Sequence, residues 1–413
     1  MQPQQETKSN PDIQGSTKGI LKYLGPALIT SALVLGPGSL TLSSKMGALY
    51  GNQLLWIVLV TVIFMMIYTE MSTRIGIAAK SSFIQVIKNR WGRWGGLLIG
   101  IGAFLVTASF QAGNSIGIGV AASAIVGLSP EVWIIVLTIV GVSLLFAKDF
   151  YNILEKAMLS LVLLMLLSFL VTVFITKPSI GDIGSGIIPS IPAGSLGLII
   201  GFTATSFSIV GASYQSYLVK EKGWKRDVAK QGIKESYLGI FLLGLISALV
   251  MIAAAAVLKP EGIQVNSIEE MGIALEPIYG NWATVIFMLG LFGASFSSLM
   301  GNATIGGAMI SDGFGFGSKL HNMKVKLGII AVMLFGSIVA LIFGGSPVTM
   351  IIFAQAVTII VVPFIAVALL VVANDETIMD DLKNTWFKNV LGILGLIVLV
   401  ILAINNVINI FLS

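Results

Sequence analysis

Long apolar runs separated by short polar connections dominate this chain. Each run approaches the roughly 20 residues that an α-helix needs to cross the hydrocarbon core of a bilayer. The pattern therefore predicts an all-α membrane protein with eleven spans. The spans lie at approximately 20–47, 52–77, 94–127, 131–147, 152–176, 195–221, 234–258, 281–311, 324–344, 347–373 and 388–412. Residues 1–18 are polar and lack the apolar run of a signal peptide, so we expect a disordered cytoplasmic tail there.

Two of these spans contain residues that disfavour a continuous helix. The first carries Gly36-Pro37-Gly38-Ser39 close to its middle, and a proline removes one backbone donor and crowds the preceding turn. In the sixth span, small and polar residues replace apolar ones over 201–215. Broken backbone at membrane depth is tolerated only where it is buried in protein or lines a water-filled cavity. Because secondary transporters bind substrates and ions at such breaks, the pattern indicates a transport site here.

The matching positions of the two breaks suggest an internal repeat. They lie five spans apart, so the second half would enter the membrane from the opposite side. We expect one membrane domain over 19–413, with a first repeat at about 20–176 and a second at about 195–373. The last helix, at about 388–412, is then an addition outside the repeats.

Composition and charge agree with a membrane protein. Hydrophobic residues make up 56% and charged residues 10% of the chain, and the mean hydropathy is +0.97. A soluble domain would carry about 25% charged residues.

The net charge of +5 is explained by topology. Basic residues concentrate in the connections that face the cytoplasm when the N-terminus is inside. These residues are Lys80, Lys88, Arg90, Arg93, Lys148, Lys156, Lys220, Lys222, Lys225, Arg226, Lys230, Lys319, Lys324 and Lys326. The opposite connections keep only Lys45, Lys177 and Lys259. We therefore expect a multi-pass protein of a bacterial-type plasma membrane, with the lipid bilayer around it and no nucleic-acid partner.

Enzymatic chemistry and a resident metal are not indicated. The chain has no cysteine, and its single histidine, His321, lies in a basic loop. One histidine alone cannot form a zinc site. A phosphate-binding glycine loop and a nucleophile paired with a histidine are also absent from the sequence. We expect neither an enzyme nor a cofactor.

Three charged residues near the membrane need a separate interpretation. Glu70 and Arg74 are four residues apart near the end of the second span, which predicts a pair on one helix face. Asp312 ends the eighth span and is interpreted as a structural residue.

Several segments together resemble the Nramp family of divalent-metal transporters. They are Leu24-Gly25-Pro26-Ala27, Ala294-Ser295-Phe296-Ser297-Ser298, Gly306-Gly307, Asp312-Gly313-Phe314, Phe353-Ala354-Gln355-Ala356, Pro363-Phe364 and Ile378-Met379-Asp380-Asp381-Leu382-Lys383-Asn384. The resemblance covers nearly the whole chain. It implies a LeuT-like fold, in which two inverted five-helix repeats and an eleventh helix surround a central site between unwound helices 1 and 6.

The residues at the implied site differ from the family pattern. Where the family carries Asp-Pro-Gly-Asn in helix 1, this chain has Gly36-Pro37-Gly38-Ser39. The methionine motif of helix 6 corresponds to Ser208-Ile209-Val210, and two acids on the proton path of helix 3 correspond to Gln111 and Asn114. Gln355, which matches a family residue near the metal, is retained. The resemblance therefore points to a divergent branch that lacks the metal-binding motif.

This reading gives a set of candidate site residues and no metal ligands. The substrate-binding candidates are Gly36, Pro37, Gly38, Ser39, Ser208, Gly211, Tyr214 and Gln355, with Gln111 and Asn114 on the former proton path. Further hydroxyls in the two interrupted spans are those of Thr30, Ser31, Thr203, Thr205, Ser206 and Ser213. A site without carboxylates stabilises a divalent ion poorly, whereas the N-terminal end of a half-helix attracts anions. We therefore expect uptake of a small anion, bicarbonate first and a small organic acid second, helped by a coupled sodium ion on half-helix carbonyls.

Two other functions stay open. The chain could be an Nramp-type carrier of a divalent metal cation with altered selectivity, for magnesium or manganese. It could also be a membrane sensor that kept the fold and lost transport, with hydroxyls that only satisfy helix backbone. The sequence gives no indication of the oligomeric state.

Overall fold

The computed structural model describes residues 36–226 and 229–411. The predicted tail at 1–18, the first part of the first span and the segment Leu24-Gly25-Pro26-Ala27 lie outside the described residues. Within the described ranges the regular structure consists of α-helices and short 3-10 turns, without a β-strand.

The helices follow one another with short connections. They are α1 (Pro37–Tyr50), α2 (Leu55–Ala78), α3 (Phe83–Val126), α4 (Pro130–Leu144), α5 (Lys148–Thr176), α6 (Ile180–Ser185), α7 (Leu196–Ser206), α8 (Ile209–Glu221), α9 (Ala229–Val257), α10 (Ile268–Gly272), α11 (Glu276–Tyr279), α12 (Ala283–Phe314), α13 (Met323–Phe343), α14 (Pro347–Thr358), α15 (Val362–Ala373), α16 (Glu376–Met379) and α17 (Trp386–Phe411). The 3-10 turns are Gly51–Leu54, Ile273–Leu275, Gly280–Trp282 and Asp380–Leu382.

These helices account for the predicted spans from the second onward. Among the described residues, eight helical segments are long and apolar enough to cross a membrane, or nine when α14 and α15 count as one bent span. The shorter apolar helix α4 corresponds to the predicted span at 131–147. The first predicted span is described from Gly36 onward only.

The third span, predicted from residue 94, is preceded by a short polar helix that begins at Phe83. Ser82 caps α3 by accepting a hydrogen bond from the Gln85 backbone N–H at 3.2 Å. The helix then turns at Gly92, whose φ of 76° and ψ of 178° are not helical. A positive φ of this kind is accessible to glycine at little cost, so one residue joins a short polar helix to the apolar span.

The tenth predicted span, 347–373, is bent. The axes of α14 and α15 differ by 40° across residues 359–361. Pro363, in the first turn of α15, has no backbone N–H to continue the ladder from α14. The Thr358 hydroxyl also donates to the Gln355 carbonyl at 2.7 Å. The bend places Gln355 one turn before an interruption of the helix.

Helices α3 and α12 form the centre of the molecule. They lie side by side, and α12 also packs against α5 and α13. Their close approach depends on glycine, because a Cβ atom on Gly100 would lie 3.0 Å from the Met309 carbonyl oxygen. Small residues at such contacts let the backbones of membrane helices come close. Elsewhere in the molecule, α1 packs against α9 and α2 packs against α8.

A buried charge cluster joins α2, α9 and α17. Glu70 accepts hydrogen bonds from Tyr237 and Lys388 and lies 3.4 Å from Arg74 Nε, so the pairing expected from their spacing is present. Arg74 also donates at 2.6 Å to the Leu382 carbonyl and at 2.6 Å to Asn384 Oδ1. Two cations and a hydroxyl therefore compensate one buried carboxylate.

Candidate functional site

The described part of the first span begins at Gly36, beside the proline from which the sequence predicts a break. Gly36 is extended, with φ of −109° and ψ of 176°, and α1 begins at Pro37. Proline is favoured at the first position of a helix because the N–H it lacks would have no partner there.

The second break lies between α7 and α8. Phe207, with φ of −93° and ψ of 61°, and Ser208, with φ of −72° and ψ of 85°, leave the helical region. Ser208 Oγ accepts a hydrogen bond from the Gly211 N–H at 3.3 Å and so caps α8. The last residues of α7, Thr205 and Ser206, bring the carboxyl end of a half-helix to the same place.

A small cavity lies between the start of α1 and the interruption between α7 and α8. Its volume is about 20 Å³, which is room for about one water molecule. Its wall consists of Gly36, Gly38, Phe110, Asn114, Thr205, Ser208, Gly211, Asn302, Ile305 and Gln355. None of these residues carries a formal charge.

The structure brings part of the predicted site together. The wall includes the predicted residues Gly36, Gly38, Ser208, Gly211, Gln355 and Asn114. The remaining candidates, Pro37, Ser39, Tyr214 and Gln111, are not in the wall. Whether the wall residues bind substrate stays a prediction.

Three of the residues outside the wall make contacts next to it. Ser39 Oγ lies 3.2 Å from Thr205 Oγ1 and connects α1 to α7. Pro37 packs on α3, where a Cβ atom on Gly117 would lie 2.8 Å from its Cβ. Tyr214 stacks on Tyr217 with ring centroids 5.5 Å apart.

Three wall residues were not predicted from the sequence. Phe110 and Ile305 are apolar and carry no signal of their own. Asn302 is an amide inside the apolar span predicted at 281–311, and this polarity is the signal that could have identified it.

The polar side chains of the wall offer both donors and acceptors, because each amide carries an NH2 group as well as an oxygen. Gln355 is 3% exposed, and its Oε1 has no hydrogen-bond partner among the described residues. The carboxyl end of α7 adds the negative end of a half-helix. The described residues contain no group of three or more His, Cys, Asp or Glu side chains that could hold a metal ion. Uncharged amides and hydroxyls therefore define the chemistry of the cavity.

Curated relatives include several metal transporters. The chain is 27% identical over 308 residues to the divalent metal cation transporter MntH of Deinococcus radiodurans, covering 71% of this chain and 70% of that protein. It is 26% identical to the protein of the same name from Chromohalobacter salexigens, with 76% of each chain covered. With the natural resistance-associated macrophage protein 2 homolog of Dictyostelium discoideum it shares 23% identity, over 96% of this chain and 63% of that protein.

Solved structures show the same fold. The Eremococcus coleocola manganese transporter, crystallised with an aromatic bis-isothiourea compound, superimposes with a TM-score of 0.73 at 21% identity, covering 96% of this chain and 88% of that one. The closed conformation of Mhp1, a nucleobase-cation-symport-1 family transporter, gives a TM-score of 0.61 at 15% identity, covering 93% and 91%. The expected all-α, LeuT-like architecture is confirmed.

The expectation of an anion substrate, bicarbonate or an organic acid, is wrong. The curated relatives are named divalent metal cation transporters. In addition, no wall residue is an Arg or Lys whose charge would balance a bound anion.

One match covers nearly the whole chain. The family described as natural resistance-associated macrophage protein-like, Nramp, matches residues 27–409. This range includes the start of α1, the interruption between α7 and α8, and every helix that lines the cavity. The resemblance seen in the sequence segments is therefore confirmed, and the chain belongs to the Nramp family.

Proposed function

We propose that this protein is a membrane transporter that moves a divalent metal cation by alternating access at the cavity between α1, α7 and α8. The observation that carries the proposal is the wall of uncharged amides and hydroxyls between the start of α1 and the interruption between α7 and α8. Unwound backbone and the carboxyl ends of half-helices are suited to cation coordination in transporters of this kind. The names of the family relatives point the same way.

The ligand types favour a hard cation, magnesium first and manganese second. The polar wall residues supply hydroxyl and amide oxygens, from Thr205, Ser208, Asn114, Asn302 and Gln355. The wall contains no thioether or imidazole, the ligands that favour softer transition metals. Oxygen ligands of this kind favour a hard cation such as magnesium over a softer transition metal.

The proposed orientation places the basic connections in the cytoplasm of a bacterial-type cell. Lys220 Nζ donates to the Ala79 carbonyl, and Arg226 pairs with Asp381 at 2.7 Å. Three connections that follow α2, α8 and α16 therefore share one face of the molecule. The positive-inside rule assigns this face, and with it the N-terminus, to the cytoplasm.

The function is tested with purified protein in liposomes that contain a magnesium-sensitive dye, and in parallel a manganese-quenched dye. We expect saturable entry of magnesium that manganese inhibits. Replacing Asn302→Leu should lower uptake by about tenfold, because a bound cation then loses an oxygen partner. The matched control is Asn405→Leu in α17, where the amide donates to the Ile401 carbonyl of its own helix at 3.0 Å; uptake should be unchanged.

Folded wild-type protein that passes neither ion faster than protein-free liposomes would overturn the proposal. A coupled sodium ion stays a prediction. Replacing external sodium with choline in the same assay checks it, since coupled uptake would stop.

A further inference from the structure

Two buried amides lie on α3 beside the cavity. Gln111 is fully buried and Asn114 is 2% exposed. They occupy positions where the family resemblance implies acids on a proton path. Only Asn114 reaches the cavity wall, so Gln111 needs an explanation of its own.

The two amides form a hydrogen-bond chain with one direction. Gln111 Nε2 donates to the backbone carbonyl of Leu299 on α12 at 3.1 Å. A backbone carbonyl can only accept, so the NH2 group of Gln111 must face it. Gln111 Oε1 then accepts a hydrogen bond at 3.3 Å from Nδ2 of Asn114, which lies three residues further along α3.

These two hydrogen bonds determine that the oxygen of Asn114 faces Gly36 at the start of α1. With its NH2 group bound to Gln111, Asn114 presents Oδ1 to the site, where a Cβ atom on Gly36 would lie 3.1 Å away. A reversed amide would set two NH2 groups or two oxygens against each other at the Gln111 contact. The order of donors and acceptors is therefore set by the Leu299 carbonyl.

Close packing holds Gln111 in this orientation. A Cβ atom on Gly336 of α13 would lie 2.4 Å from Gln111 Cβ and 2.5 Å from its Cγ. The stem of Gln111 is thus enclosed between α3 and α13, which leaves its amide little rotational freedom.

We infer that Gln111 is a positioning residue that turns the Asn114 carbonyl oxygen toward the transported cation. This inference rests on the proposed cation transport. A cation is stabilised by the oxygen of an amide and repelled by its NH2 group, so a freely rotating Asn114 would bind it less tightly. At positions where the family resemblance implies acids of a proton path, the two amides would instead hold the Asn114 oxygen in a fixed orientation toward the cation.

The test is a double-mutant cycle on magnesium uptake and binding. Gln111→Leu should raise KM about tenfold with a smaller change in kcat, because the orientation of one ligand to a charged group is lost. In the Asn114→Asp background the same change should raise KM less than about threefold, since a carboxylate presents an oxygen in either orientation. Gln111→Met, which keeps the length of the stem, serves if the leucine variant does not fold.

A second readout does not depend on transport. The magnesium-dependent rise in Tm of each variant in detergent should follow the same pattern. Equal KM changes in both backgrounds, or no change for Gln111→Leu alone, would overturn the inference while wild-type uptake still supports the function. Wild-type protein with neither uptake nor a magnesium-dependent rise in Tm would instead overturn the proposed function and this inference with it.

Discussion

At the residue scale, the contact between Gly38 and Gln355 sets the width of the cavity. A Cβ atom on Gly38 would lie 2.5 Å from Gln355 Nε2 and 2.6 Å from its Cδ. Real Cβ atoms do not approach other heavy atoms this closely, so any larger residue must push the Gln355 amide aside. The unpaired Gln355 Oε1 would move with it.

Gly38→Ala should therefore lower kcat/KM for magnesium by about tenfold or more, while the protein still folds. Initial uptake rates at several magnesium concentrations, with a Tm for each preparation, measure both effects. The matched control is Gly197→Ala in α7, where an added Cβ meets nothing within 4 Å. Equal activity of Gly38→Ala and wild type would show that the Gln355 amide does not contribute to the site.

The sequence predicted both residues of this contact but not every residue of the wall. Pro37 between two glycines indicated a break without further context. The structure places Tyr214 outside the wall because the direction of each α8 side chain depends on where the helix restarts. The restart at Ile209 could not be located from a run of small residues alone. Asn302 was missed because the side of α12 that faces the cavity depends on how α12 packs against α3.

At the element scale, the far end of α8 is tied to the ends of α3 and α12. Tyr217 donates to Asp312 Oδ2 at 2.8 Å, and Ser82 donates to the same oxygen at 2.6 Å. Lys88 donates to the Asp312 backbone carbonyl at 2.6 Å. Since α8 begins at the cavity, these bonds keep the half-helix in place on the side of the basic connections.

Weakening the hydrogen bonds to Asp312 should open the cavity toward the side of the basic connections. The chain has no cysteine, so Ile305→Cys in the wall is a single reporter for a thiol reagent added from that side. Asp312→Asn should raise the labelling rate about tenfold, because the lost charged hydrogen bonds stabilise the closed position of α8. The control Asp182→Asn changes an exposed acid in α6 and should leave the rate unchanged. An unchanged rate for Asp312→Asn would mean that α8 does not control access.

The sequence predicted the existence of the long helices better than their ends. Apolar length located the spans, since each must cover the bilayer. It placed the start of the third span at 94, next to the turn at Gly92, but it did not show the short polar helix from Phe83 that precedes this turn. The bend between α14 and α15 was missed for a related reason, since Pro363 was read only as part of a family segment.

At the scale of the whole molecule, the neutral cavity determines how transport responds to membrane potential and pH. Among the described residues, the wall holds no side chain that exchanges a proton near neutral pH. A divalent ion would then cross with its charge uncompensated. A potential of 100 mV contributes about 2.3 kcal/mol per charge, or about 4.6 kcal/mol for such an ion.

Magnesium uptake into liposomes should therefore increase when a potassium gradient with valinomycin makes the interior negative. At zero potential, a pH gradient of one unit should change the initial rate by less than about twofold. Dye fluorescence inside the liposomes measures both responses. A rate that follows the pH gradient without a potential would contradict this expectation.

The choice of substrate shows where sequence reasoning stopped. The missing carboxylates were visible and led to the anion expectation, but the directions of amides and hydroxyls were not. Ser208 Oγ satisfies the N–H at the start of α8, and Asn114 turns its oxygen toward the break. The names of the family relatives, and not the cavity itself, overturned that expectation.

The Glu70 cluster has a consequence for motion. One carboxylate binds Lys388 of α17 and Tyr237 of α9 to α2, and separating either helix from α2 would break a hydrogen bond to a charged group. Such a bond typically contributes about 1.5–3 kcal/mol, so we expect the three helices to move together. Changes of angle are then expected where the helices are interrupted, at Phe207-Ser208 and at 359–361. In this way α17 would restrict motion to those two points.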